Sequence, residues 1–475
     1  MTNGAIVGFC YFVLEVLGVL SAMHAVVHSR TSQGSIAWVL SLLTFPFFAL
    51  PLYWIFGRRR FEGYVDARRS GNSEIIHYGQ ELSAKAAPFV TRLPEELSRL
   101  KVLEKLAYMP FSRSNQVTLL VNGEETFGSI FEGIRNAQRY VLLQFFILKA
   151  DQLGSDLGEL LQKKAAEGVQ IFFLYDEIGS HKLPETYKRD LRRAGVDIRP
   201  FRTTQGRMNR FQLNFRNHRK IVVVDGRTAY VGGLNVGDEY MGRSERFGHW
   251  RDTHVKIEGP AVMGAQLSFI EDWYWSANQI PDVEWTLSEA SNGTMDTLIL
   301  PTGPADDKET CALMFLELIN SARTRIWISS PYFVPDEAVV NAFRLAALRG
   351  VDVRILLPLN PDHFVVYLAS FWYLQQLDMP RIKIYRYKPG FLHQKAAVVD
   401  DTLAMVSTAN LDNRSFRLNF EVSVLVADKA FVYAVDRMLS EDLDASEQVG
   451  PEDYQKRDFL FKVGVNTARL LSPVL

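Results

Sequence analysis

Two histidines in this chain carry the same tail. His218 is followed by Lys220 and Asp225, and His393 by Lys395 and Asp400, in the pattern His-x-Lys-x4-Asp. Each copy then reaches an asparagine at the same distance, through Gly232-Gly233-Leu-Asn235 and Ser407-Thr408-Ala-Asn410. At about 5% usage per residue type, the pattern arises by chance roughly once per 400 histidines. The chain has nine histidines, so two copies at a constant offset of 175 positions record an internal duplication. These residue types suit substitution at phosphorus. A neutral imidazole can attack, an imidazolium can protonate the departing alcohol, and lysines can stabilise the equatorial oxygens. Asn235 and Asn410 follow small residues, so Gly233 and Thr408 would let backbone and amide groups approach a phosphate.

The apolar run after each histidine reads as a strand. Period two then places His218 and Lys220 on one face, about 7 Å apart, and His393 and Lys395 likewise. Two halves meeting about a pseudo-two-fold axis would bring all four side chains to one pocket. Asp225-Gly226, between two apolar runs, has the form of a hairpin turn, and Asp400-Asp401 occupies the equivalent place. A structural role is therefore expected for both aspartates. The duplication extends upstream, where residues 139–147 match 325–333 and residues 167–174 match 349–356. The first pair reads as a buried strand, the second as a helix end, a glycine cap and the next strand. Strands alternating with helices indicate the α/β class, with two duplicated α/β/α sandwich domains at 109–290 and 291–475. The break falls in the linker-like stretch 288–294. Residues 58–108, punctuated by Pro94, read as a linker with little packing of its own.

The first 57 residues hold two formal charges, Glu15 and Arg30. Residues 5–27 and 36–56 are each long enough to span a hydrocarbon core of about 30 Å, so a two-helix transmembrane hairpin is expected. The start Met1-Thr-Asn-Gly lacks the basic residues of a signal peptide. Tyr53 and Trp54 sit where an aromatic belt would anchor the second helix. Arg58, Arg59, Arg60, Arg68 and Arg69 follow that span, against Arg30 alone in the loop. The basic bias puts the loop outside and the bulk of the chain in the cytoplasm. Glu15 within the first span costs about 2.5–3.5 kcal/mol on insertion scales. It is expected to face the partner helix or stay protonated.

Net charge of −1 argues against a nucleic-acid partner. Cys10 and Cys311 are the only cysteines, which fits a reducing compartment without a disulfide framework. No metal-ligand spacing is present, so neither metal nor cofactor is expected. Two apolar segments stay open in role. Residues 364–374 could line a groove for acyl chains or form a core helix. Residues 457–471 read as an amphipathic helix, for the membrane surface or for docking on the second domain.

The paired motifs identify the chain as similar to the phospholipase D superfamily. The resemblance narrows to membrane-anchored bacterial cardiolipin synthases through the anchor and Ser330-Pro331-Tyr332-Phe333-Val334-Pro335. The run from Asn410 to Glu421 and the Leu-Ser-Pro-Val-Leu end carry it further. It implies two phospholipase D-like domains in the inner membrane of a bacterium, multi-pass, with the catalytic domains cytoplasmic. It implies phosphatidyl transfer between two phosphatidylglycerols, with other membrane phospholipids and the bilayer as partners, and leaves a homo-oligomer open. The alternatives are hydrolysis by a phospholipase D or a phosphatidylserine-synthase-like transfer. By the same resemblance His218 is the nucleophile and His393 the acid and base, and the motif is named with Asp225 and Asp400. Glu421 and Asp252 become the carboxylates that orient the histidines. Six extra residues separate Asn235 from Asp252 relative to the second copy.

Overall fold

The computed structural model describes residues 3–29, 31–57, 61, 63–65, 84–93, 95–205, 214–285 and 287–475. Arg30, Arg58, Arg59, Arg60, Arg68, Arg69 and Pro94 lie outside these. In the first half the sheet strands are β1 Ser112–Val121, β2 Tyr140–Phe145, β3 Gln170–Asp176, β4 Asp197–Phe201, β5 Ile221–Val224, β6 Thr228–Gly232 and β7 Thr253–Glu258. The second half repeats them as β8 Met295–Thr302, β9 Arg325–Ser329, β10 Asp352–Pro358, β11 Ile382–Tyr387, β12 Ala396–Val399, β13 Leu403–Ser407 and β14 Asn419–Ala427, and adds β15 Ser446–Val449. Their spatial orders correspond. The first half runs β1-β7-β6-β5-β2-β3-β4 and the second β8-β14-β13-β12-β9-β10-β11-β15. β1 pairs antiparallel with β8, which joins both halves in one sheet.

Both faces are covered, which explains why the strands read as unbroken apolar runs. Ile221 and Val223 of β5 face a core shared with the second half, where Ala396 and Val398 of β12 meet them. Val222 and Val224 turn to a core belonging to the first half, and Ala397 and Val399 to one belonging to the second. The helices Val262–Ala277 and Lys429–Asp444 contribute to the shared core.

Asp225 and Asp400 set the register at the far end of the motif strands. Both have positive φ, 53° and 51°, a conformation that Asp tolerates in turns. Asp225 accepts the backbone N–H groups of Gln138, Arg139 and Tyr140, and Asp400 those of Arg323, Thr324 and Arg325. Tyr140 is thus the counterpart of Arg325. The sequence match that paired Arg139 with Arg325 is off by one residue, because two arginines attracted the alignment while the aspartate caps fix the strands.

The expected linker is packed where it is described. Leu93, Leu100, Leu103 and Leu106 are buried in the second half's core, and Phe61 and Tyr64 in the shared one.

The anchor also departs from expectation. α1 (Asn3–His28) is the one described helix long and apolar enough to cross a membrane. The second apolar segment is broken into α2 (Ser32–Thr44) and α3 (Pro46–Phe56). Pro46 has no N–H and crowds the residue before it, and Phe45 leaves the helical region at φ −135° and ψ 56°. Among the described residues the hairpin of two full spans is therefore not formed.

Both open apolar segments are helices that pack together. Phe364–Gln375 meets the carboxyl-terminal helix Phe459–Arg469 through Phe371 and Phe461, 5.1 Å between ring centres, and Arg469 lies 3.7 Å over the Trp372 ring. The carboxyl-terminal helix docks on the second domain and leaves Phe459, Leu460, Val463, Leu470 and Leu471 exposed.

Candidate active site

Short parallel pairings between the halves deliver the histidines. Arg216–Asn217 pairs with Asn419 and Phe420 at the start of β14, and His218 N–H donates to Phe420 O at 2.9 Å. In the other half Gly390–Leu392 pairs with His249–Arg251, and His393 N–H donates to Arg251 O at 2.7 Å. Each histidine therefore enters the site beside the strand that bears the other half's carboxylate.

The carboxylates cross over. His218 Nδ1 lies 2.9 Å from Glu421 Oε2, and His393 Nδ1 lies 2.7 Å from Asp252 Oδ2. With Nδ1 donating its proton to a carboxylate, the neutral ring keeps a lone pair on Nε2 for chemistry. Both rings are almost buried, 8% and 7% exposed, and both carboxylates are fully so. Glu421 also accepts from Thr408 Oγ1 at 2.6 Å, Ser415 Oγ at 2.9 Å and Asn419 Nδ2 at 3.1 Å. Burial works to raise its carboxyl, but the charge and hydrogen bond of His218, the charge of Lys220 and the hydrogen bond from Thr408 hold it below the usual range. Burial pushes His218 down to about 4, with Glu421 opposing. Burial also lowers His393, helped by the Lys395 charge and resisted by Asp252.

Lys220 and Lys395 reach the same place. Lys220 Nζ donates to His218 O at 2.6 Å, and Lys395 Nζ donates to His393 O and lies 3.1 Å from His393 Nδ1. Burial pulls Lys220 down to about 7 and Lys395 to about 8, each partly restored by Glu421 and Asp252. A phosphodiester anion arriving between them would favour the charged form of both lysines and of one histidine.

The geometry gives the remaining motif residues these places. Asp225 and Asp400 sit seven residues beyond the histidines, about 20 Å along an extended strand, and cap strand starts instead of joining the site. A Cβ at Gly233 would stand 1.9 Å from Asp252 Oδ1, so this glycine makes room for the carboxylate, not for a phosphate. Thr408 spends its hydroxyl on Glu421. Asn235 Oδ1 accepts from Ile147 N–H and its Nδ2 donates to Tyr240 Oη, which leaves one amide hydrogen. Asn410 is buried, and its Oδ1 has no partner among the described residues.

Sequence reasoning missed the clamps behind the motif. Asp272 accepts from Gln144, Asn217 and Arg219, and Arg219 Nε donates on to Glu421 O. Asp442 does the same in the other half, accepting from Arg251 and Gln394. A signal was available: Glu271 and Asp272 are an acidic pair within the apolar run Phe269-Ile-Glu-Asp-Trp273. Buried His254, lowered to about 3 by burial, was missed too. Its Nδ1 accepts from Leu234 N–H. Among the described residues, no three His, Cys, Asp or Glu side chains group as metal ligands would.

A sheet duplicated about β1 and β8, with one histidine and one lysine from each half close enough for their charges to act on one another, is a two-domain phospholipase D-like fold. The family described as "Cardiolipin synthase, PLD-like domain" matches residues 130–263 and 315–443, and "Phospholipase_D-nuclease N-terminal" matches 16–58. The chain is 48% identical over 473 residues to cardiolipin synthase A of Pseudomonas entomophila (strain L48), covering 98% of both chains. It is 49% identical over 472 residues to cardiolipin synthase A of Pseudomonas fluorescens (strain SBW25), again covering 98% of each. Phosphatidylserine synthase of Haemophilus influenzae Rd KW20 shares the fold at a TM-score of 0.61 and 16% identity, covering 80% of this chain and 100% of that one. The chain belongs to the cardiolipin synthase family, enzymes of phosphatidyl transfer.

Proposed function

We propose that this chain joins two phosphatidylglycerol molecules into cardiolipin and releases glycerol. The crossed pairs His218–Glu421 and His393–Asp252 carry the reading, because each leaves an Nε2 for the substrate. His218 Nε2 attacks the phosphorus of the first lipid. The bond from phosphorus to the headgroup glycerol breaks, and His393 gives that oxygen its proton, so glycerol leaves and a phosphatidyl-histidine remains. A headgroup hydroxyl of the second lipid then loses its proton to His393 and attacks the same phosphorus. The phosphorus–nitrogen bond breaks, cardiolipin departs and His218 is regenerated. Lys220, Lys395 and the amide hydrogens of Asn235 and Asn410 stabilise the equatorial oxygens through both steps. The two phosphodiesters are of similar energy, so glycerol in excess should drive the reaction back. Water must be kept from the intermediate, which suits a pocket whose histidines are nearly buried.

The activity belongs at the cytoplasmic face of a bacterial inner membrane, where α1 would hold the catalytic halves beside their lipid. Purified full-length protein in defined vesicles with labelled phosphatidylglycerol tests this. Cardiolipin and glycerol should form without added metal and in the presence of EDTA, and acid-quenched enzyme should carry label on a peptide containing His218. Phosphatidic acid as the main product would favour hydrolysis, a product needing serine would favour the phosphatidylserine route, and label on the His393 peptide would exchange the two roles.

A further inference from the structure

In a hairpin of two full spans, α3 would run antiparallel to α1 and its end would lie near the beginning of α1. It lies near the other end. Ser35 Oγ donates to Ala25 O at 3.0 Å, so the start of α2 sits beside the end of α1. Seven residues on, Leu42 faces Gly18, where an added Cβ would stand 2.7 Å from the Leu42 carbonyl and 3.2 Å from Pro46 Cβ. There the chain reverses. Trp54 Nε1 donates to Ser21 Oγ at 3.3 Å, and Tyr53 Oη lies 2.6 Å from His24 Nδ1. α3 therefore runs parallel to α1 and antiparallel to α2, and the Trp38 and Tyr53 rings, 5.3 Å apart, close the contact between them.

We infer that α1 alone crosses the bilayer, and that α2 and α3 form a wedge seated in the one leaflet that faces the catalytic halves. From Gly18 to His28 is ten residues, about 15 Å, which is half of a core of about 30 Å. The tip of the wedge, Phe45, Phe47 and Phe48, is charge-free and about two-thirds exposed, as lipid contact at mid-depth requires. Its open end gathers His24, His28, Trp38, Tyr53 and Trp54, the polar aromatic residues of an interfacial belt. Charge agrees. In sequence, Arg30 falls between α1 and α2 and Arg58, Arg59 and Arg60 come after α3, while residues 1–4 carry no charged side chain. The loop at Arg30 is then cytoplasmic and the amino terminus outside, the reverse of a two-span hairpin.

The wedge also explains how the site reaches lipid. Phe61, four residues past Gly57 and so within about 14 Å of it, is fully buried, with its ring 5.3 Å from Phe215 and 5.9 Å from Phe420. Phe420 adjoins Glu421, the partner of His218. One leaflet would hold both the wedge and the lipids that enter the site.

Labelling with a membrane-impermeant maleimide in spheroplasts tests the arrangement, in full-length protein carrying Cys10→Ser. Asn3→Cys should label in intact spheroplasts. Ser32→Cys, and Gln33→Cys as a second choice at the same loop, should label only after permeabilisation, as should Lys388→Cys on the catalytic body. Label at 32 or 33 in intact spheroplasts, or protection of position 3, would overturn the wedge. Cardiolipin formation measured on the same membranes reads the proposed activity separately, since either labelling result is compatible with an active site facing the cytoplasm.

Discussion

The two halves share strand order, motif and clamp, and differ in how firmly each histidine is held. Glu421, the partner of His218, takes hydrogen bonds from three further side chains. Asp252, the partner of His393, accepts from Thr253 N–H at 2.8 Å and from Trp250 Nε1 at 3.5 Å, and packs directly on Gly233, which stands in place of Thr408 and offers it no hydroxyl. The His393 ring is instead walled by Trp250, Phe391 and Tyr240, 5.2 to 6.4 Å away. A ring fixed by a saturated carboxylate suits a nucleophile that must meet phosphorus along one line. A ring boxed by aromatic faces with a simpler partner suits proton transfer, which tolerates small rotations. Duplication supplied the groups, and divergence around them divided the labour.

The largest effect should come from the histidines themselves. His218→Ala and His393→Ala should each lower transfer by about 10³-fold or more, since nucleophile and acid–base groups act as a unit. Thermal unfolding should remain cooperative in both. Activity of more than a few percent in either variant would mean that one half suffices.

The carboxylates sharpen the comparison. Glu421→Gln places an amide where His218 Nδ1 donates and favours the tautomer whose Nε2 cannot attack, so a loss of about 10²–10⁴-fold is expected. Asp252→Asn should cost less, because a poorly poised acid still transfers protons while a protonated nucleophile does not attack. Equal losses, or the reverse order, would remove the division of labour drawn from the hydrogen bonds.

The pH profile should show the same charges from outside. For free enzyme, kcat/KM should rise as pH passes upward through about 4, where His218 loses its proton and becomes nucleophilic. It should fall again as His393, which must hold a proton to release glycerol, and then Lys220 and Lys395, at about 7 and 8, lose theirs, because burial favours their neutral forms until an anionic lipid binds. The limbs belong to the coupled set and not to single residues. A kcat/KM that is flat from pH 7 to 9 would show that the lysines stay charged without substrate.

Much of this was legible because duplication writes each essential residue twice. His218, Lys220, Asn235 and their second copies could be found by offset alone. The crossing of Glu421 to His218 could not, since it depends on residues 216–217 pairing with 419–420, a contact between stretches about 200 positions apart that leaves no local pattern. Gly233 misled for a related reason. A glycine announces close approach but not what approaches, and here the neighbour is a carboxylate of the protein itself. The second membrane span misled because length and apolarity describe a segment's total and not its course, and Pro46 was the residue that spoke against a single helix. The slip at Arg139 shows the same limit within a strand, where one residue changes which side chains share a face.

The smallest effect on turnover should come from the aspartates that give the motif its last letter. Asp225→Asn and Asp400→Asn keep a residue able to hold positive φ but replace one carboxylate oxygen with an amide donor facing backbone N–H groups. Each should destabilise the fold by about 1–3 kcal/mol, the range for leaving hydrogen-bonding groups unpaired, while kcat of the folded enzyme stays near its original value. Asp400 should matter more than Asp225, because it also accepts from Thr324 Oγ1 and so loses a further donor. Denaturation midpoints measured beside kcat separate the two roles. A collapse of kcat at unchanged stability would return both aspartates to the catalytic set.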